Sequence, residues 1–218
     1  MKYTGMPAAM WLLFAKSFRQ QLVENYHMNE DTAKEVTAKA KLKYKQIIQG
    51  LPEFEKNDRF KANAVSCAML GAFVLNMPER PDVESLTKYY ANAMMTPAMQ
   101  WYCRKSGKNK YTEKSMDNLK RTEKLKTADR NPYSWNMEFY PYEDGSGYEA
   151  RFTKCGICTI MKELGLYDLT PALCHLDYTM ADAGGGTKFV RQYTLASGGP
   201  YCDCGYKKKI RTDMEASG

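Results

Sequence analysis

The sequence lacks any uninterrupted apolar run long enough to cross a membrane. Its longest run, residues 7–15, is about half of the roughly 18 residues that a transmembrane helix requires. Lys16 and Arg19 follow this run, and no small-residue cleavage pattern of a secretory signal comes after it, so the run indicates a buried helix. We therefore expect a cytoplasmic protein with no membrane partner.

Several catalytic and nucleic-acid-binding signatures are absent as well. There is no serine in a nucleophile elbow, no phosphate-binding glycine loop and no zinc-protease helix motif. Residues 104–130 carry ten Lys or Arg against four acidic residues, but no DNA- or RNA-binding motif accompanies them. A solvated helix face explains such a segment better than a nucleic-acid partner does.

Cysteine, by contrast, is plentiful. The chain has seven: Cys67, Cys103, Cys155, Cys158, Cys174, Cys202 and Cys204. Since the number is odd and no signal peptide is recognised, we expect reduced thiols in a reducing compartment rather than a disulfide framework. Five of the seven lie in the last third of the chain, which is where thiol chemistry is expected.

Hydrophobic periodicity predicts an α+β protein with an N-terminal helical bundle packed on a C-terminal antiparallel β-sheet with one or two short helices. Residues 1–130 show the three- and four-residue apolar spacing of helices, and residues 58–76 are apolar almost all round, as in a central helix. Residues 131–210 show the two-residue alternation of strands and are expected to carry the active site. Residues 211–218 are predicted to be a flexible tail.

Capping and breaking residues predict individual boundaries. Asn29 or Asp31 is predicted to cap the second helix, and Gly165 to end a later helix in the left-handed conformation. A single helix is predicted from a cap at Asp82 or Ser85 to about residue 103, bent near a proline at position 97.

A second short helix of the C-terminal region, opening at Thr170-Pro171, is predicted to carry Cys174, His175 and Asp177. Asp177 then lies three residues beyond Cys174 on the same helix face, whereas His175 points about 100° away. A thiol beside a carboxylate indicates a nucleophile or a metal-binding pair. A buried cysteine next to a capping aspartate explains the same pattern equally well.

Arg191 is predicted to lie in a strand over residues 189–195. If its strand face points inward, the guanidinium needs an anionic partner, which could be Asp177, Asp182, Asp203 or a substrate carboxylate. An outward face would place Arg191 in water instead. On the last predicted strand, Cys202 and Cys204 share one face.

A zinc site is the alternative interpretation of the C-terminal thiols. The potential ligands are Cys155, Cys158, Cys174, His175, Cys202 and Cys204. Their spacing departs from the paired short knuckles of structural zinc sites. We therefore expect no cofactor and keep zinc as the lesser alternative.

Several stretches in this region resemble the L-2-amino-thiazoline-4-carboxylic acid hydrolase family. They are F-T-K-C at residues 152–155, K-E-L-G at 162–165, L-C-H-L-D at 173–177, F-V-R at 189–191, T-L-A-S-G-G at 194–199 and C-D at 202–203. The resemblance covers about residues 135–208 and is loose over the N-terminal helices. The last motif departs from the family pattern at Cys204-Gly205, where an aromatic and a basic or polar residue are more usual.

This resemblance implies a hydrolase that acts on a cyclic amidine-type C=N bond. Ring opening of a 2-amino-thiazoline-4-carboxylate-like substrate would give an N-carbamoyl amino acid, with Cys174, Cys155 or a water as the nucleophile. The residues implied for catalysis are Cys174, Asp177, Cys155, Cys202 and Asp203, and those implied for substrate binding are Arg191 and His175. We expect these groups to converge around one small cavity.

Two other functions remain open on the sequence. One is a non-catalytic small-molecule binding or sensor module, which predicts inert thiols. The other is a zinc-dependent hydrolase, which predicts loss of activity or folding with a chelator. In each case the partner is a small molecule, and a homo-oligomer is left open.

Overall fold

The computed structural model of the chain describes residues 1–127 and 129–209 of the 218-residue sequence. Over these residues the protein is α+β, with a mostly helical N-terminal part and a four-stranded antiparallel sheet in the C-terminal part, which confirms the predicted class. The predicted tail, 211–218, lies outside the described residues. Within the part of the chain that is described, no helix is both long and apolar enough to cross a membrane.

Nine α-helices and four strands are found in the described ranges. The helices are α1 (Met6–Tyr26), α2 (Glu30–Gly50), α3 (Lys61–Val74), α4 (Val83–Met94), α5 (Pro97–Asn109), α6 (Glu113–Thr127), α7 (Gly156–Glu163), α8 (Thr170–Cys174) and α9 (Leu176–Gly184). The strands are β1 (Glu138–Pro141), β2 (Gly147–Phe152), β3 (Thr187–Val190) and β4 (Cys202–Lys208). A short 3-10 helix, Tyr167–Leu169, precedes α8.

Contacts divide the chain into two compact units, and each unit is discontinuous in sequence. The first unit consists of Met1–Thr96, Arg130–Trp135 and Cys155–Leu176. The second consists of Pro97–Asp129, Asn136–Lys154 and the described chain from Asp177 onward. The predicted division into segments 1–130 and 131–210 stays a prediction.

The first unit is built around α3. Eleven of the 14 residues of this helix are buried, as its all-round apolar sequence predicts. The Phe73 ring lies between the rings of Trp11 and Phe18, at centroid distances of 5.7 Å and 5.0 Å. Helices α7 and α8 complete this core, since α7 packs on α3 and α8 packs on α4.

Side-chain caps fix the starts of two helices in this unit. The Asn29 side chain accepts a hydrogen bond from the Thr32 N–H at 2.8 Å, and Asp82 accepts one from the Ser85 N–H at 2.8 Å. Gly165 follows α7 with a φ of 69°, the left-handed conformation that its position predicts.

The second unit is built on the sheet, whose strand order is β1-β2-β4-β3. All neighbouring strands are antiparallel, and the register pairs Ala150 with Cys204 and Phe189 with Tyr206. Because side chains alternate along a strand, Cys202, Cys204 and Tyr206 share one face, as predicted. Both of these cysteines are buried.

The prediction of one long helix that reaches about residue 103 is wrong. The chain leaves α4 after Met94 and starts a separate helix, α5, at Pro97. Proline disfavours helical geometry in the residue before it and is well suited to the first turn of a helix. Pro97 therefore begins a new helix instead of bending an old one.

Two predictions for the C-terminal region are also wrong in detail. Cys174 and Asp177 do not share a helix, because α8 ends at Cys174, the His175 N–H closes it on the Pro171 carbonyl, and α9 begins at Leu176. The strand predicted over residues 189–195 ends at Val190. The reason for this early end is the contact of Asp203 described below.

Candidate functional site

The thiols of the first unit meet where α7 begins. Cys155 occupies the position before the helix, and Cys158 lies in its first turn. Their side chains hydrogen-bond to each other, and the indole N–H of Trp135 donates to the Cys155 sulfur. Both cysteine residues are half-buried.

These contacts make Cys155 the acidic thiol of the pair. The hydrogen bond from Cys158 lowers its pKa most, and it outweighs the opposing effect of burial. The backbone N–H groups of Ile157 and Cys158 and the Trp135 indole lower the pKa further. No full capping hydrogen bond is made to the Cys155 side chain, so the amides act through their dipoles at the helix N-terminus. Such surroundings favour the thiolate, which is the nucleophilic form.

The segment Arg130–Trp135 fixes the first turn of α7. Thr159 donates a hydrogen bond from its hydroxyl to the Pro132 carbonyl at 2.9 Å. A Cβ on Gly156 would lie 2.0 Å from the Tyr133 carbonyl oxygen, so only glycine allows this approach. The Trp135 ring stacks on the ring of Phe60 at 5.4 Å. The indole donor and the thiol it contacts are therefore both held by packing.

The same segment is anchored at its centre by a buried polar contact. The Ser134 hydroxyl, which is fully buried, donates to Asp58 Oδ2 at 2.8 Å. The other oxygen of Asp58 accepts the Phe60 N–H, also at 2.8 Å. Asp58 thus links the residues before α3 to the segment that shapes the Cys155 environment.

Two further cysteines and a tyrosine surround the pair. Burial, with added repulsion from Cys155 and Cys174, raises the pKa of the Cys67 thiol, which lies in the core of α3. Cys174 is the last residue of α8, two positions before α9 begins. Tyr167 hydrogen-bonds to Cys158, and burial together with the neighbouring thiols raises the pKa of its phenol.

The second unit holds a charged pair built on Arg191. Its guanidinium donates to Asp177 Oδ2 and also to the Cys204 sulfur, the latter at 2.9 Å. The Arg191 side chain is only 7% exposed, against 41% for Asp177. Of the partners that the sequence suggested for Arg191, the structure thus selects Asp177.

Cys204 is a neutral thiol in this arrangement. Burial raises its pKa, the Asp177 carboxylate adds to the effect, and the charge of Arg191 opposes it without overcoming it. Burial also opposes the charge on Arg191, but Cys204 and Asp177 outweigh it and the pKa of Arg191 is raised. With Cys204 protonated at neutral pH, Asp177 is the anion that balances the buried guanidinium.

The remaining predicted residues of β4 contact the backbone. The Asp203 carboxylate accepts the N–H groups of Gln192 and Tyr193, at 2.8 Å and 2.5 Å. These amides would otherwise extend β3, which is why that strand stops at Val190. The Cys202 sulfur accepts the Leu195 N–H at 3.2 Å. Both side chains therefore shape the 191–195 segment.

A cavity of about 100 Å³ lies in the second unit, lined by residues of α5, α9, β3 and β4. Asp177 and Lys110 lie in its wall, so it presents both a carboxylate and an ammonium group. The Lys110 ammonium lies 3.7 Å from the centre of the Tyr206 ring, which is also in the wall. A small molecule carrying both charges would complement this lining.

Among the predicted site residues, Cys155 and Cys174 thus belong to the first unit, and Asp177, Arg191, Cys202 and Asp203 to the second. His175, predicted to bind substrate, is exposed at the end of α8. Within the described ranges, no three His, Cys, Asp or Glu side chains are grouped so as to hold a metal ion.

Sequence reasoning missed Trp135, Tyr167 and Lys110 as site residues. Trp135 follows the two-residue alternation of a strand, and Lys110 is one of many charges in a basic segment. The Cys155-x-x-Cys158 spacing was visible, but it was assigned to the zinc alternative. The contact of Cys155 with Trp135, 20 positions earlier, adds to the lowering of its pKa by Cys158 and is not visible in the spacing.

Comparison with known protein families gives one match. Residues 57–206, more than half of the chain, match a family model described as L-2-amino-thiazoline-4-carboxylic acid hydrolase. The match includes Trp135, Cys155, Lys110, Asp177 and Arg191. Comparisons with curated proteins and with solved structures give no significant match.

Proposed function

Because the chain belongs to the L-2-amino-thiazoline-4-carboxylic acid hydrolase family, we propose that it acts on a cyclic amidine-type C=N group, opening the ring by hydrolysis at the amidine carbon with Cys155 as nucleophile. The observation that carries this proposal is the environment of Cys155. This thiol is half-buried, receives hydrogen bonds from Cys158 and Trp135, and has a lowered pKa. A thiolate poised in this way is what covalent attack on an amidine carbon requires.

In the first step of the proposed reaction, the Cys155 sulfur replaces the ring sulfur on the amidine carbon. The Cys155 thiolate adds to the ring carbon of a 2-amino-thiazoline, and the bond from this carbon to the ring sulfur breaks, which releases the substrate thiol after it takes up a proton. Water then attacks the carbon that is attached to Cys155, and the Cys155 thiolate leaves. The sum is one substrate and one water giving one N-carbamoyl amino acid. A leaving group with a low pKa favours the last step.

Other cysteines are less suited to this role. Cys174 is the last residue of α8, and Cys67 is fully buried with a raised pKa. In the second unit, Cys204 is a neutral, buried thiol, and Cys202 is buried as well. Cys155 alone combines access with a lowered pKa among the thiols whose pKa shifts are resolved.

We assign proton donation to Tyr167. Its phenol hydrogen-bonds to Cys158 and has a raised pKa, so it keeps its proton at neutral pH. Its side chain is partly exposed and can therefore reach a bound molecule. A positioned donor of this kind typically accelerates a reaction by about 10²–10⁴-fold.

The charged pair of the second unit has a positioning role in this proposal. Arg191 is engaged by Asp177 and Cys204, so we propose that it positions Asp177.

The test is turnover of 2-amino-thiazoline-4-carboxylate by single variants, measured as release of the carbamoyl product. We expect Cys155→Ala to lower kcat by about 10³-fold or more, as removal of a covalent nucleophile does. Tyr167→Phe should lower kcat by about 10²-fold.

Cys103→Ala is the matched control, because this thiol is buried with a raised pKa and should be dispensable for turnover. Thermal unfolding of each variant separates loss of catalysis from loss of folding. Retained turnover in Cys155→Ala, with normal unfolding, would exclude covalent catalysis by this thiol. Absence of turnover in the unmodified protein would redirect the search to other cyclic amidines.

A further inference from the structure

We propose that Cys155 and Cys158 form a redox-active dithiol, which small-molecule disulfides oxidise to an intramolecular disulfide. The site lies entirely in the first unit, at the first turn of α7. The chemical class of its reaction partner is a low-molecular-weight disulfide such as oxidised glutathione.

The geometry of the helix start brings the two sulfurs together. Cys155 occupies the capping position, with extended φ and ψ of −134° and 114°, and Cys158 is the third residue inside the helix. In the capping box of serine and glutamate, the side chain at each of these two positions reaches the backbone N–H of the other residue, so both side chains lie on the same side of the first turn. Here the two thiols already hydrogen-bond to each other. Residues three apart at a helix start have Cα atoms within the range that a disulfide spans.

The order of attack follows from the surroundings of each sulfur. Cys155 receives the Trp135 indole N–H and the amide dipoles of α7, so it is the attacking thiolate. It attacks one sulfur of the external disulfide, forms a mixed disulfide and displaces one small thiolate. Cys158 then loses its proton, attacks the Cys155 sulfur and displaces the second. Two protein thiols are oxidised and one disulfide is reduced to two thiols, so the electrons balance.

Neighbouring thiols are less suited to resolve the mixed disulfide. Cys67 is fully buried in α3. Cys174 belongs to a different helix, α8. Cys158 lies in the same helical turn as Cys155, and contacts of Thr159 and Gly156 hold this turn in place.

Oxidation would have a functional consequence, and this consequence rests on the proposed function. A Cys155 sulfur in a disulfide cannot attack an amidine carbon. Turnover should therefore stop on oxidation and return on reduction. The dithiol would couple hydrolysis to the thiol–disulfide balance around the protein.

The experiment treats the full chain with oxidised glutathione and maps disulfides by mass spectrometry after blocking the remaining thiols and digesting. We expect one internal disulfide between Cys155 and Cys158, the loss of two hydrogens, and full reversal by dithiothreitol. In Cys158→Ser the same treatment should leave glutathione attached to Cys155, because the resolving thiol is missing. In Cys174→Ser, the matched control, the Cys155–Cys158 disulfide should form as in the unmodified chain.

Three results would overturn the proposal. They are a stable glutathione adduct on Cys155 of the unmodified chain, a disulfide to Cys174 or Cys67 in place of Cys158, and protection of both thiols from oxidation. The mapping needs no turnover, so its outcome is independent of the hydrolase proposal. If the disulfide forms while turnover is unaffected, the dithiol stands and Cys155 as the hydrolytic nucleophile does not.

Discussion

At the scale of single residues, Cys155 and Cys204 show how surroundings decide the chemistry of a thiol. Each receives a hydrogen bond from an N–H group, Cys155 from Trp135 and Cys204 from Arg191. Around Cys155, a second thiol and the helix start outweigh burial and lower the pKa. Around Cys204, burial and the Asp177 carboxylate outweigh Arg191 and raise it. The donor alone therefore does not make a thiol reactive.

This contrast predicts different rates of alkylation. As pH rises, labelling of Cys155 by iodoacetamide should reach half its maximal rate below the usual thiol pKa of about 8.5, whereas Cys204 should stay slow throughout. Peptide mass spectrometry at a series of pH values measures both rates in one sample. Labelling of Cys155 that rises only above pH 8.5, or no faster than that of Cys204, would contradict this prediction.

The same shift affects stability with a defined sign. The folded-state pKa of Cys155 is lower than that of an unfolded thiol, so its stabilisation is fully present above the unfolded value. It is lost as pH falls through the folded value. Replacement of Cys155 by alanine should therefore reduce the dependence of unfolding free energy on pH in this window.

The pair of Arg191 and Asp177 should matter for stability. We expect Arg191→Ala to lower the unfolding free energy by about 2–3 kcal/mol, because it removes the partner of Asp177 and leaves a space beside Cys204. The figure is below that of a fully buried pair because the Asp177 side chain is 41% exposed. Urea denaturation measures the change.

Arg80→Ala is the matched control for that substitution. Arg80 pairs with Asp168 at 2.6 Å, but both side chains are more than half exposed, so the cost should be about 0–1 kcal/mol. Equal losses of unfolding free energy in the Arg191→Ala and Arg80→Ala variants would mean that burial of Arg191 does not strengthen its contribution to stability.

At the scale of elements, α7 depends on a close backbone approach. The missing side chain of Gly156 lets the Tyr133 carbonyl come within a distance that a Cβ would not permit. Gly156→Ala should therefore push the start of α7 away from the Arg130–Trp135 segment. We expect the unfolding free energy to fall by about 1–3 kcal/mol, which is typical of overpacking. We also expect the pKa of Cys155 to rise as this residue moves away from Trp135.

Gly50→Ala serves as the comparison in the same unit. Gly50 is the last residue of α2, and a Cβ there would meet nothing within 4 Å. The Gly50→Ala substitution should change the unfolding free energy by no more than about 1 kcal/mol, in favour of the folded state. Suppose that the Gly156→Ala variant shows the same change in unfolding free energy as Gly50→Ala and an unchanged alkylation profile of Cys155. In that case the close approach of Gly156 to the Tyr133 carbonyl does not position this thiol.

The elements differ in how well sequence predicts them. The cap at Asn29 and the left-handed Gly165 depend on residues three or four positions away, and both are confirmed. The end of β3 depends on Asp203, which takes the amides of Gln192 and Tyr193 from ten or more positions away. No local period reports such a contact, so the strand was predicted too long.

The candidate site shows the same limit. Cysteine-rich motifs and the family resemblance point to Cys155, Cys174 and Asp177 without a structure. Which thiol is acidic depends on the contacts of Cys155 with Cys158, the start of α7 and Trp135. Which anion pairs with Arg191 depends on the folded structure. Spacing predicted Cys174 and Asp177 on one helix face, but a break at His175 separates them into α8 and α9.

At the scale of the whole molecule, the two units are interleaved along the chain. The core of the first unit includes Ile160, Met161 and Leu173, which come from beyond residue 130. A fragment of residues 1–130 should therefore lack a cooperative unfolding transition, because the surfaces of α3 and α4 that α7 and α8 cover would be exposed. Circular dichroism during heating measures this.

A fragment of residues 1–176, which contains the whole first unit, is the comparison and should regain cooperative unfolding. The predicted boundary after residue 130 is tested by the same pair. If the shorter fragment melted as sharply as the longer one, residues 1–130 would be an independent folding unit.

The interleaving also has a consequence for biosynthesis. A ribosome delivers α1–α4 first, then the Pro97–Asp129 stretch of the other unit, and only much later the helices that seal α3 and α4. The nascent polypeptide therefore carries an unsealed apolar surface while roughly 80 more codons, from Thr96 to Leu176, are translated. Holdase chaperones could bind this exposed apolar surface during that interval. The yield of active protein should therefore depend on these chaperones more strongly than the stability of the folded protein would suggest.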